Sequence, residues 1–92
     1  MLIEITHIKF SGSVAEHQSI TDYKWRSSTG TGESTKATMV AWVDDKTNTA
    51  HVGQGRFQVN VGAVHPSTGA AYLRTYADGQ WSNNLLSLPT FA

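Results

Sequence analysis

The residues able to do chemistry in this chain are scattered rather than gathered. The four histidines, His7, His17, His51 and His65, form no His-x-His or His-x3-His pair, and no cysteine stands anywhere to complete a metal set. Polar strand-face or hydrogen-bonding roles are expected of them, although distant ligands can converge in a β domain. Asp44 and Asp45 offer paired carboxylates. Adjacent residues at a helix end point in different directions, which fits a solvated terminus better than acid–base work. Asp78, Asn83 and Asn84 carry oxygens that suit Ca²⁺, but their spacing lacks the alternation of a calcium loop and fits side chains that fix turns. The serines lack a Gly-x-Ser-x-Gly setting, and Gly30-Thr31-Gly32 and Gly53-Gln54-Gly55 lack the flanking residues of a phosphate cradle. No catalytic residue, metal or cofactor is expected, and the chain does not read as an enzyme.

One group stands apart. Arg74 lies between Tyr72 and Tyr76, with Trp81 a few residues on. The functional reading is a guanidinium flanked by aromatics that binds an anion or touches a partner. The structural reading is an arginine that ties down carbonyls of the C-terminal tail or pairs with Asp78. Trp25, Trp42 and Trp81 divide in the same way between core and exposed anchor. Arg74, Tyr72, Tyr76 and Trp81 are therefore the candidate binding residues.

The elements that position these residues read mainly as strands. Residues 2–10 form one, with Ile3 and Ile5 on one face and Ile8 and Phe10 on the other unless a bulge near Thr6-His7 shifts the phase. Ile20 to Arg26 alternates Tyr23 and Trp25 against Asp22 and Lys24. The segment from Val14 to Ser19 fits either a strand extension or a helical turn. The polar stretch Ser27 to Ser34 is expected to be a mobile loop. Ser34 to Lys46 reads as the helix, capped by Ser34 or Thr35, with Met39, Val40 and Val43 on one face and an end near Val43. A strand reading of Ala37 to Val43 competes with it. Thr49 to Val52 and Arg56 to Val64 follow as strands, the second alternating Phe57, Val59, Val61 and Ala63 with polar residues. Tyr72 to Tyr76 reads as a central strand, Asp78-Gly79 as a turn, and Leu85, Leu88 and Phe91 as a tail folded back over the body.

Composition narrows the classes. Ninety-two residues suit a single domain spanning 1–92 with one modest core. Charged residues make up 15%, and seven basic side chains cancel seven acidic ones. A nucleic-acid binder needs a basic excess against phosphates, so none is expected here. Low charge also offers little protection against self-association. No stretch approaches the ~20 apolar residues of a membrane span, and the N-terminus lacks a signal-peptide pattern, so a cytoplasmic protein without membrane contact is expected.

Ile5-Thr6-His7-Ile8, Tyr72-Leu73-Arg74-Thr75, Asn84-Leu85 and Leu88-Pro89-x-Phe91 together resemble the opening and ending of a family of small bacterial proteins, domain of unknown function 3892. Leu86 and Ser87 depart from the Asp-Asn that often follows Asn-Leu there. The resemblance favours the helical reading of Ala37 to Val43 and implies a fold but no activity. The expected architecture is α+β: a curved, mostly antiparallel sheet in the order β-β-α-β-β-β, covered by the helix and a Leu-rich tail. The expected function is a small protein-interaction module of a bacterium or phage, binding a protein partner or itself through an edge strand. The alternative is a small-molecule or anion binder near Arg74, Tyr72 and Tyr76.

Overall fold

β1 (Leu2–Phe10) opens the chain, and its apolar phase explains how the sheet can be buried on one face. Its partner β2 (Ile20–Ser27) runs antiparallel, with Ile5 opposite Trp25 but His7 opposite Lys24. The extra residue is a bulge at Thr6-His7, one of the two alternatives the sequence left open. It brings Ile8 back onto the face of Ile3 and Ile5, and all three are buried. A second shift between Lys9 and Phe10 lets both Ile20 and Tyr23 bury from β2. The structure is a computed structural model that describes residues 1–12, 17–53, 58–77, 80–82 and 84–91.

The stretch expected to be a mobile loop is instead the end of β2, a turn at Ser28-Thr29, and a strand, β3 (Gly30–Thr35). β3 pairs along its whole length with β2, from Ser27 opposite Gly30 to Asp22 opposite Thr35. Its polar composition hid it, because none of its own side chains needs to supply apolar cover: the Trp25 indole from β2 lies across Gly32.

The helix α1 (Lys36–Asp44) follows at once. Thr35 caps it, its hydroxyl accepting the Thr38 N–H at 3.3 Å. Met39 and Val40 are buried, and the helix packs on β2, β3 and the later strands over Val59–Val64 and Tyr72–Ala77. At its C-terminal end the Asn48 Nδ2 donates to the Trp42 carbonyl at 3.1 Å, which satisfies one of the carbonyls a helix end leaves open. α1 carries the chain across the sheet to β4 (Thr49–Val52), which lies parallel to β1. β5 (Val59–Val64), β6 (Tyr72–Ala77) and β7 (Gln80–Ser82) then add antiparallel strands. Phe57, the Gly53-Gln54-Gly55 turn beyond Gly53, and the Asp78-Gly79 turn fall outside the described residues, as does the first half of the Val14–Ser19 segment, whose second half, His17–Ser19, is a 3₁₀ turn.

The result is an α+β fold with one open sheet in the order β3-β2-β1-β4-β5-β6-β7. It has the expected helix and mostly antiparallel pairing, plus two strands, β3 and β7, that the expected order lacked. Tyr72–Tyr76 is not the central strand: β6 has neighbours on both sides but stands next to the short margin β7, and β4 holds the middle.

The sheet curls until the His17–Ser19 turn touches β6. Leu85, in the 3₁₀ turn Asn84–Ser87, is fully buried, and Leu86 and Leu88 pack on the core. The tail then runs beside β1: the Ile8 N–H donates to the Pro89 carbonyl and the Phe91 N–H to the Ile8 carbonyl, both at 3.0 Å.

Candidate functional site: the free edge and the open face

β3 is one margin of the sheet, and its bonding groups can be assigned from the pairing pattern. A two-residue turn makes Ser27 and Gly30 a hydrogen-bonded pair, so along this hairpin the bonded pairs continue at Trp25–Gly32 and Tyr23–Ser34. The tail confirms this phase, since the Ile8 groups opposite Tyr23 point away from β2 and bond the tail instead. The N–H and C=O of Thr31 and Glu33 therefore point outward, and they have no backbone partner among the described residues. Apart from Glu33, which lies 3.8 Å from Lys24, β3 carries no charged residue or proline, no bulge interrupts its pairing, and no strand among the described residues covers it. Those are the usual guards of an edge. β7, the opposite margin, is only three residues long.

Behind this edge the inner face is apolar. A side-chain carbon added at Gly32 would stand 2.5 Å from Cζ2 of Trp25, so only glycine lets the indole lie there. The Trp25 Nε1–H donates to the Ser34 hydroxyl at 3.2 Å, which fixes the ring along β3. Next to it a small cavity of about 80 Å³ is lined by Met1, Ile3, Met39 and Trp42 together with Ser34 and Thr38. Trp25 and Trp42 are thus both half-buried core-margin residues.

No α-helix among the described residues lies on the other face. Register places Tyr72, Arg74 and Tyr76 on it together, opposite Val64, Gly62 and Asn60, while Leu73 and Thr75 turn inward and are fully buried. Tyr76 is exposed, and all three of Tyr72, Arg74 and Tyr76 are engaged in interactions rather than free. Tyr72, Arg74 and Tyr76 thus share one face of β6. The pairing of Arg74 with Asp78 falls outside the described residues, and of Trp81 only its register opposite Tyr76 is described.

The same face holds a row of ion pairs. The Arg26 guanidinium donates through Nε (3.0 Å) and Nη2 (2.9 Å) to one Glu4 oxygen. Lys24 lies 3.8 Å from Glu33 and 4.9 Å from the centre of the Phe91 ring. Phe91 thus meets the open face through Lys24, whereas Leu85 goes into the core. A shallow groove of about 390 Å³ runs between these charges, bounded by His7, Lys24, Arg26, Thr31 and Glu33.

The histidines do not converge. His7 contacts the Thr6 hydroxyl at 2.9 Å, His51 the Gly53 carbonyl at 3.1 Å, and His65 the Asp44 carboxylate at 2.9 Å; the His17 side chain is outside the described residues. No cluster of His, Asp or Glu able to hold a metal occurs among the described residues. Asp44 and Asp45 diverge as expected, Asp44 to His65 and Asp45 to the Thr47 amide and hydroxyl. Those Thr47 bonds hold the Asp45 carboxyl below its usual range. Asn84 lies in the 3₁₀ turn, and the calcium reading with Asp78 and Asn83 falls outside the described residues.

Thr31, Gly32 and Glu33 were the residues missed by sequence reasoning. A signal existed: polar side chains alternate with glycine and serine from Gly30 to Thr35, two residues after a strand.

Fold and edge together define a small α+β domain with one long unguarded margin. The chain belongs to the family described as Protein of unknown function (DUF3892), which it matches over residues 4–89. No curated protein and no solved structure matches it significantly. No helix among the described residues is long and apolar enough to cross a membrane.

Proposed function

We propose that this domain is a non-catalytic protein-interaction module that takes an extended strand of a partner onto β3. The observation that carries the reading is the outward pair of bonding residues, Thr31 and Glu33, on a strand without guards. Strand addition gains affinity from main-chain hydrogen bonds and specificity from alternate side chains. Here the alternate contacts are the open-face groove beside Lys24 and Arg26 and the inner-face indole of Trp25.

The experiment is a selection of extended peptides against the wild-type domain, repeated on Thr31→Pro. Proline at 31 removes an outward N–H and leaves the bonds to β2 in place. Peptides that bind the wild type and lose at least about tenfold in affinity on Thr31→Pro support the reading. Peptides that bind both alike contradict it.

A second reading rests on the common face of Tyr72, Arg74 and Tyr76. An anion held there would raise the melting temperature of the wild type and not of Arg74→Ala. An equal rise in both would remove this site.

A further inference from the structure

We infer that the occupant of the β3 edge is β3 of a second copy of this chain, paired antiparallel about a two-fold axis through Gly32. The inference rests on the strand-addition reading and supplies its partner and register. Symmetric pairing can centre on Thr31, Gly32 or Glu33. Centring on Glu33 sets two carboxylates directly opposite each other, which is destabilising. Centring on Thr31 pushes Glu33 against Thr29, beyond the strand and in the turn, and so shortens the ladder. Centring on Gly32 sets each Thr31 opposite Glu33 of the copy, and each such pair exchanges both N–H···O bonds through groups that point outward.

Charge follows the same register. Across the open face the row becomes Lys24, Glu33, then Thr31, Arg26 and Glu4 of the copy, built from the Lys24–Glu33 and Glu4–Arg26 pairs already present in each chain. Opposite signs neighbour one another along the row, and the two Glu33 side chains stand diagonally across the axis rather than directly opposite, each beside its own Lys24. The formal net charge of zero leaves two copies without overall repulsion.

The inner face agrees independently. Trp25 reaches over Gly32 toward the sheet margin, with Cζ2 nearest the glycine. With Gly32 facing Gly32, no side chain separates the two indoles, and each covers the apolar rim of the other. Any other residue at 32 would lift the ring off the strand. A strand of six residues offers about 20 Å of edge. Such an interface falls short of the ~1,200–2,000 Å² of a stable complex, so association is weak and reversible.

The native chain has no cysteine, so single cysteines report the register cleanly. Thr31→Cys and Glu33→Cys, both at exposed positions, are oxidised separately and as an equal mixture, with one carrying a tag to shift its mass. Unchanged melting temperatures establish that both fold. The expected result is a mixed disulfide dimer in the mixture, at least about tenfold above the dimer in either sample alone. Dimer formation by Thr31→Cys alone, or by Glu33→Cys alone, would overturn the register. The absence of disulfide dimer from every sample would overturn self-pairing, while peptides lost on Thr31→Pro would still leave strand addition to another protein standing.

Discussion

Tyr23 is fully buried on the inner face, and its hydroxyl has no hydrogen-bond partner among the described residues. Burial pushes its ionisation well above the ordinary tyrosine range. The backbone of Leu73 opposes this in part but does not stand at hydrogen-bonding geometry. An unmatched buried hydroxyl costs about 1–3 kcal/mol. Tyr23→Phe is therefore expected to raise the melting temperature by several degrees. The pH dependence has a definite sign. The unfolded tyrosine ionises near pH 10 and the folded one does not, so stability is full below about pH 10 and falls as pH rises beyond it. Tyr23→Phe should flatten that alkaline loss in denaturant titrations, and a lower stability for Tyr23→Phe at neutral pH would show that the hydroxyl has a partner. Gly32 is the opposite case, a residue whose missing side chain matters. Gly32→Ala forces the Trp25 ring to move and should cost about 1–3 kcal/mol, with a shift in tryptophan emission. Unchanged emission and stability would mean the indole does not lie there.

Among the elements, α1 and the bulge in β1 were partly legible: spacing allowed both, but a strand reading competed with the helix until the family resemblance favoured it, and the bulge was one of two ways to place Ile8. Met39, Val40 and Val43 recur at helical intervals, and Ile3, Ile5, Ile8 can share a face only with an added residue. β3 carried only a weak signal in its own residues, the alternation of polar side chains with glycine and serine. Hydrophobic periodicity is the main strand signal, and Gly30 to Thr35 has none, since the cover comes from Trp25 in the neighbouring strand. The candidate site was half readable for the same reason. Alternation put Tyr72, Arg74 and Tyr76 on one face, but only the placement of α1 decides that this is the open face. The phase of the β2–β3 hairpin yields its own prediction. Thr31→Pro should fold with a melting temperature within a few degrees of wild type, because its N–H faces away from β2. Gly32→Pro removes a bond to β2 and should unfold the hairpin, and far-ultraviolet circular dichroism with thermal melts compares the two. Loss of the hairpin in Thr31→Pro would mean that the hairpin has the opposite phase.

At the scale of the molecule, the sheet manages its two margins differently. β7 is short, and the tail takes the place beside Ile8 that β4, which pairs only with Leu2–Glu4, leaves open. β3, at six residues, is the longer margin, and no strand among the described residues covers it. That contrast is the reason for locating function there in a chain whose side chains assemble no reaction centre among the described residues. The most direct measurement is the mass in solution by light scattering behind a sizing column, across a concentration series, for wild type and Thr31→Pro in parallel. Pairing of β3 with β3 of a second copy predicts that the wild type rises from 10.0 kDa toward the mass of a dimer as concentration increases, while Thr31→Pro stays at the monomer mass. A wild type that remains at 10.0 kDa throughout, or a Thr31→Pro variant that dimerises equally well, would contradict it.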